Sequence, residues 1–311
     1  MNLEKIEAAF ALVIENINHL QNQLNTDFYE AFVEQNAYYL GAENPAELVK
    51  SNNDKLRSSN LTAAEWQKVF QYVLIKGAKD APMQANHNLT PDSIGFLFNF
   101  MIEQLQKSDE LRVLEIGSGT GNLTETLLVY LRKKIDYVGF EVDDLLLDIA
   151  ASCSEIIGTN ANFMQIDGVQ KQVLEPFDAI VSDLPVGFYG DDETAKHFTV
   201  ASKAEHTYAH HLLMEQSFKY LKNDGFAIFL APENLLTSAQ SDFLKEWLKK
   251  EASLMAVITL PASMFKASPK AIFVLKKGAA SAPTFVYPLS DLTDRQALAN
   301  FMSEFTKSVK L

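Results

Sequence analysis

One cysteine, Cys153, is all the chain has, so it forms no internal disulfide and no cysteine-rich zinc site. A lone thiol of this kind is expected as a small buried side chain. Cations are also short: 27 Lys and Arg stand against 40 Asp and Glu, a net charge of -13. Phosphate backbones are held by basic faces, so tight nonspecific DNA binding by the chain as a whole is disfavoured. No apolar run approaches the length of a membrane span, and no signal peptide is evident. The expectation is a cytoplasmic protein with no membrane association. Glycine is nearly absent from the first eighty residues, where only Gly41 and Gly77 occur. Repeats and low-complexity segments are lacking too. The 311 residues leave room for about two domains.

What the chain does have is centred on Arg112 to Leu128, RVLEIGSGTGNLTETLL. A short apolar run, Val113, Leu114 and Ile116, is interrupted by the acid Glu115. Gly117, Gly119 and Gly121 follow at alternate positions, then Leu123, Leu127 and Leu128 at helical spacing. The pattern predicts strand, glycine turn, helix. Glycine is needed where the backbone takes positive φ or a ligand comes close, and the helix behind such a turn presents free N–H groups. Dinucleotide enzymes favour G-x-G-x-x-G with pyrophosphate at that helix end. Here the spacing is G-x-G-x-G behind an acid, which repels pyrophosphate and suits a cation. A nicotinamide dehydrogenase is thereby disfavoured. S-adenosylmethionine carries a sulfonium and an ammonium, and no phosphate.

Before this stretch the chain reads as helical. Ile6, Phe10, Val13, Ile17, Leu20 and Leu24 mark one apolar stripe; Phe28, Phe32 and Tyr39 mark a second, ending near Gly41. Thr62 and Glu65 form a capping box opening a third helix with Trp66, Phe70 and Val73. A polar linker is expected from Lys76 to Asn88. Thr90, as N-cap, and Pro91, at the first helical position, then start a helix. Strands are expected at 136–141, 161–165, 179–181 and 226–231, the last entered through the turn Asn223-Asp224-Gly225. Further strands are expected at 254–259, 271–276 and 284–287, with a helix near 295–307. Alternating strands and helices up to the fifth strand predict an α/β fold with a doubly wound, largely parallel sheet. The expected domains are a helical module at 1–84, a catalytic domain at 85–278, and a strand and helix at 279–311 packing on it.

Ligands of doubly wound sheets lie outside the carboxyl ends of the strands. Four acids fall at such ends: Glu115, Glu141, Asp167 and Asp183. Glu141 lies at the right distance behind the glycines to accept both hydroxyls of a ribose. Asp167, with Gly168 beside it, is expected to accept the adenine amine. Val142 adjoins the ribose site. Glu115 and the three loop glycines shape the methionine end, and Thr90 and Pro91 close over it. Asp183, in the sequence D-L-P-V-G-F-Y, borders both cofactor and methyl acceptor. His206, His210 and His211, on an expected helix before the fifth strand, offer an i, i+4 pair without a third metal ligand, so a structural or surface role is expected and no metal. The segment from Lys245 to Lys277, with seven lysines and two glutamates, is read as a solvated face rather than a nucleic-acid contact. Gly187 to Glu205 is polar and aperiodic, and is expected to be a lid.

The sequence E-I-G-S-G-T-G resembles the cofactor loop of class I S-adenosylmethionine-dependent methyltransferases. D-L-P-V resembles the D/N-P-P-Y/F motif of amino-methyltransferases that act on adenine N6, cytosine N4 or glutamine. The segments 221–229 and 257–277 are similar to the corresponding parts of modification subunits of type I restriction systems. With its helical front, the whole chain resembles YtxK-like bacterial proteins and the adenine-N6 DNA methylases. The resemblance implies a Rossmann-like methyltransferase sheet, S-adenosylmethionine as cofactor, and Asp183, Pro185, Phe188 and Tyr189 as the catalytic group. It implies a nucleic-acid substrate, against the acidic balance of the chain. A protein partner is expected through the helical module. Leu184 stands where Pro is common, and Val186 where an aromatic usually stacks on the base. A second reading is therefore a cofactor-binding regulatory protein that no longer transfers methyl groups.

Overall fold

A computed structural model describes residues 1–81, 89–203, 206–265, 268–278 and 283–309. The expected boundary at 84/85, the residue after Gly278 and most of the expected linker lie outside these, and the described start of that linker, from Lys76 to Asp80, is instead the last part of a helix. The described elements, in chain order, begin with α1 (Leu3–Leu24), α2 (Phe28–Leu40), α3 (Glu47–Ser58), α4 (Ala63–Asp80) and α5 (Asp92–Leu105). Next come β1 (Glu110–Ile116), α6 (Asn122–Tyr130), β2 (Lys134–Glu141), α7 (Asp144–Ile157), β3 (Ala161–Gln165) and β4 (Phe177–Asp183). The chain continues with α8 (Asp192–Ala195), α9 (Ala209–Phe218), β5 (Leu221–Pro232), α10 (Ser241–Glu251) and β6 (Ala252–Thr259). It closes with β7 (Lys270–Lys277), β8 (Phe285–Pro288) and α11 (Arg295–Ser308).

Two compact units divide these elements. The first is Met1–Gly95, Ser118–Leu131 and Asp143–Gln165; the second is Phe96–Gly117, Arg132–Val142 and Ile166–Leu311. In the first unit, side-chain caps start the helices: Asn2 for α1, Asp27 for α2 and Asp143 for α7. The Thr62–Glu65 capping box is present at α4. Left-handed Gly41 and Gly158 end α2 and α7. The apolar stripes of α1, α2 and α4 meet in one core, to which α7 adds Ile149, Cys153 and Ile157. Cys153 is thus buried, as a lone thiol was expected to be. Helix α3 was not legible, because its apolar positions are few. Two of its buried residues are amides instead: Asn52 donates to Asn16 at 3.0 Å, and Asn53 accepts from Gln35 at 3.0 Å. Asparagine at such positions carries no hydrophobic period.

Among the described residues the strands of the second unit run side by side in the order β2-β1-β4-β5-β7-β6-β8. β1 is parallel to β2 and β4, and β4 to β5. β7 inserts antiparallel between β5 and β6. The predicted α/β doubly wound sheet is therefore present, with an antiparallel strand that alternation alone did not reveal. The expected turn at Asn223–Gly225 lies inside β5: the partner of β4 jumps from Leu221 to Phe226, so these residues bulge out of the ladder. In the same unit, Phe301 and Phe305 of α11 pack against the rings of β8, Phe285 and Tyr287. Among the described residues no helix is long and apolar enough to cross a membrane.

Candidate active site

Parallel register carries three chain ends to one level in the second unit. Ile116 pairs with Phe140, and Glu115 with Val181. Continuing each ladder sets Gly117 level with Glu141 at the end of β2 and with Asp183 at the end of β4. Gly117 N–H donates to the Phe140 carbonyl at 2.9 Å, and Ser182 Oγ donates to the Ile116 carbonyl at 2.5 Å. The Glu141 carbonyl accepts from Ile166 N–H at 2.9 Å, which brings the Asp167 segment alongside. β1 lies where the strand order reverses, between β2 and β4, and crevices at such points receive ligands.

The four acids have different surroundings. Glu115 is 1% exposed and accepts from Tyr137 Oη at 2.6 Å, so it is a buried, oriented carboxylate. Glu141 is buried, and its Oε1 accepts from Val142 N–H at 2.8 Å; Val142 itself is exposed. Asp167 Oδ1 accepts from Val169 N–H at 2.9 Å, and its Oδ2 accepts from Tyr189 Oη at 2.6 Å. Burial and the neighbouring Asp167 carboxylate push the Tyr189 hydroxyl up to about 12. Gly168 is buried; a side chain there would meet Ile116 and Leu213 at 3.0 Å. Asp183 is half-buried and paired with Lys270 at the start of β7.

Behind Asp183 the chain turns through Pro185, whose carbonyl is hydrogen-bonded to the His210 ring. Burial first, then Lys270, holds His210 down at about 4. Gly187 to Tyr189 runs antiparallel to Thr207 to Ala209: Tyr189 N–H donates to the Thr207 carbonyl at 2.8 Å, and Ala209 N–H to that of Gly187 at 2.9 Å. Phe188, 55% exposed, stacks on Tyr208 with centroids 5.0 Å apart and planes 15° apart. Tyr208 stacks in turn on His210 at 5.1 Å.

Gly119, Gly121, Thr90 and Pro91 belong to the first unit. Gly119 has φ 54° and Gly121 φ 81°, with Gly121 as the N-cap of α6. A side chain at Gly119 would meet nothing within 4 Å, so the loop is open there. Thr90 is buried, and its carbonyl accepts from Asn122 Nδ2 at 2.5 Å. Pro91 accepts at its carbonyl from Ile94 N–H at 2.9 Å, which starts α5 one residue later than expected. His206 precedes α9 rather than lying on it, whereas His210 and His211 are buried within it. Among the described residues no group of three or more His, Cys, Asp or Glu is arranged to hold a metal.

The sequence did not mark Tyr208, and it gave Lys270 only as part of a solvated face, whereas Lys270 is mostly buried and paired with Asp183. Lys270 reaches Asp183 across 87 positions, and no local signal marks such a pair. Tyr208 joins Phe188 only through a bridge between two irregular segments.

YtxK of Bacillus subtilis is 31% identical over 275 residues, covering 85% of this chain and 83% of that protein. A structure from Listeria monocytogenes, assigned to the class I S-adenosylmethionine-dependent methyltransferases, superposes with a TM-score of 0.90 at 28% identity, covering 98% of this chain and 99% of that one. The methyltransferase subunit of a type I restriction-modification system from Streptococcus thermophilus shares the fold, with a TM-score of 0.69 at 16% identity, over 84% of this chain and 62% of that one. The family described as N-6 DNA Methylase matches residues 65–306. Acids at the strand ends, the glycine loop and the acid–proline turn after β4 are thus set in a fold shared with methyltransferases, and the chain belongs to the N-6 DNA methylase family.

Proposed function

We propose that this S-adenosylmethionine-dependent methyltransferase acts on an exocyclic amine, as in adenine-N6 transfer. The observation that carries the reading is Asp183: it ends β4 level with Gly117 and Glu141, paired with Lys270, and opens the acid–proline turn. The residues suit the cofactor. Buried Glu115 and Glu141 repel a pyrophosphate and favour a cation and ribose hydroxyls, and Gly119 leaves space where a side chain would stand. In this reading Glu141, beside Val142, accepts the ribose hydroxyls. Asp167, beside Gly168, accepts the adenine amine. Glu115 and the loop glycines shape the methionine end.

The cofactor supplies an electrophilic methyl on a sulfonium. An exocyclic amine is a poor nucleophile because its lone pair delocalises into the ring. Asp183 accepts one amine hydrogen, and a backbone carbonyl near Pro185 accepts the other. Together these two acceptors would hold the nitrogen toward tetrahedral geometry and free its lone pair from the ring. Lys270 fixes the direction of Asp183, and His210 holds Pro185 through its carbonyl. Phe188, backed by Tyr208, offers the flat face that Val186 lacks.

The family name points to adenine in DNA. A net charge of -13 opposes tight duplex binding by this chain alone, so a basic protein partner docked on the helical module belongs to the same proposal. The test is incubation with labelled cofactor and with DNA, RNA and protein fractions; DNA is expected to take up methyl. Asp183→Ala should lower the transfer rate by about 10²–10³, the range for losing one preorganised transition-state partner. Cofactor affinity should stay within a few-fold, and Asp183→Asn should keep part of the activity. Cofactor binding without methyl uptake by any fraction would instead make the chain a binding protein.

A further inference from the structure

We infer that Tyr189 is a positioning residue for the cofactor: its hydroxyl holds Asp167 in the orientation that accepts the 6-amino group of adenine, and ties that choice to the segment carrying Phe188. The inference rests on the reading that Asp167 accepts the adenine amine. Two adjacent aromatics of an extended segment point to opposite sides. Phe188 turns to Tyr208, and Tyr189 turns to Asp167. The pair implied together for the acceptor site is thereby divided, one ring for each side of the reaction.

Two donors on different oxygens fix the Asp167 carboxylate: Val169 N–H at 2.9 Å on Oδ1 and Tyr189 Oη at 2.6 Å on Oδ2. A carboxylate has about four acceptor sites. Two therefore remain for an amine, in directions the first two define. Tyr189 is itself held. Its N–H donates to Thr207, its hydroxyl receives Gln170 Nε2 at 3.3 Å, and the Gly187–Ala209 bond closes the ladder beside it. With its hydroxyl pushed up to about 12, Tyr189 remains a donor throughout the neutral range. Binding at Asp167 and order in the segment of Phe188 are then linked, and such coupling runs equally in both directions.

Calorimetry with S-adenosylhomocysteine and its 6-oxo analogue, S-inosylhomocysteine, tests this. An ionised carboxylate accepts from the amine and repels the carbonyl oxygen, so the wild-type protein should prefer the adenosyl compound. Tyr189→Phe keeps the ring and should cut that preference by ~10-fold, the scale of one hydrogen bond to a charged group. Gln170→Ala, at an exposed position, should loosen the same hydroxyl and cut it less. In an Asp167→Asn background, Tyr189→Phe should leave the preference unchanged. Equal weakening of both compounds by Tyr189→Phe would mean a structural role only and would overturn the inference. Equal wild-type affinity for both compounds would overturn it too, while leaving the cofactor assignment standing. Binding of neither compound would overturn the cofactor reading and this inference together.

Discussion

His211 is a buried imidazole, and among the described residues neither ring nitrogen has a hydrogen-bond partner. Burial, then the neighbouring His210, holds it down at about 3, and His210 stands at about 4. Both are neutral in the folded protein near neutrality, whereas an unfolded histidine takes up a proton near 6.5. Between these values the unfolded chain binds more protons, so stability rises with pH. The two histidines contribute fully above about 6.5, and that contribution is lost as pH falls toward 4 and 3. Glu125 runs the other way: burial raises it to about 7, so its contribution is full below its unfolded value and is lost as pH rises through 7. Two histidines outweigh one carboxyl in the shared window. Urea midpoints should therefore fall between pH 7 and pH 5. His211→Leu removes one of the two imidazoles that take up a proton on unfolding, so its midpoint should fall less over that range. An unchanged pH slope in that variant would refute the assignment. None of this was legible in the sequence, where the histidines read only as an i, i+4 pair. Solvent exclusion around α9 decides their charge.

The glycine turn before α6 was legible in full as strand, turn and helix, because positive φ at alternate positions demands glycine. Its glycines are nevertheless unequal. At Gly121 an added side chain would approach Ala150 Cβ at 3.1 Å and its Cα at 3.3 Å, in addition to the strain of φ 81°. At Gly119 only the strain of φ 54° remains. Gly119→Ala should thus cost about 1–2 kcal/mol of stability, the penalty of a left-handed residue. Gly121→Ala should cost about 1–3 kcal/mol more, from overpacking against α7. If the loop cradles the cofactor, Gly119→Ala should also weaken S-adenosylhomocysteine binding beyond what its stability loss explains. Denaturant titration and calorimetry on the two variants separate these effects; equal stability losses would contradict the packing argument. Element positions elsewhere were read well where periodicity was strong, as in α1 and α4. They were missed where amides replaced apolar residues, as in α3.

At the scale of the molecule, the helical front packs with α6 and α7, the two helices that come after the glycine loop. Residues of α1, α2 and α4 share a core with Ile149, Cys153 and Ile157 of α7. Asn36 donates to Ser152 at 3.0 Å, Gln67 to Thr126 at 2.8 Å and Gln71 to Asn122 at 2.8 Å. A chain beginning at Asp80 would expose that face of α7 and leave those polar groups of α6 and α7 to water. It should lose its cooperative thermal transition and become prone to aggregation. A soluble shortened chain with a sharp transition would show that the front is dispensable. The sequence by itself determined the parallel strands and crossovers up to β5, the glycine turn and the acids at the strand ends. These rest on local periodicity, on φ preference and on charge, all of which are written in neighbouring residues. Only the tertiary structure decided that β7 runs antiparallel, that Lys270 pairs with Asp183, that Tyr208 backs Phe188, and that Tyr189 turns to Asp167. Each joins residues far apart or separated by irregular chain, where no period links one partner to the other and packing alone brings them within reach.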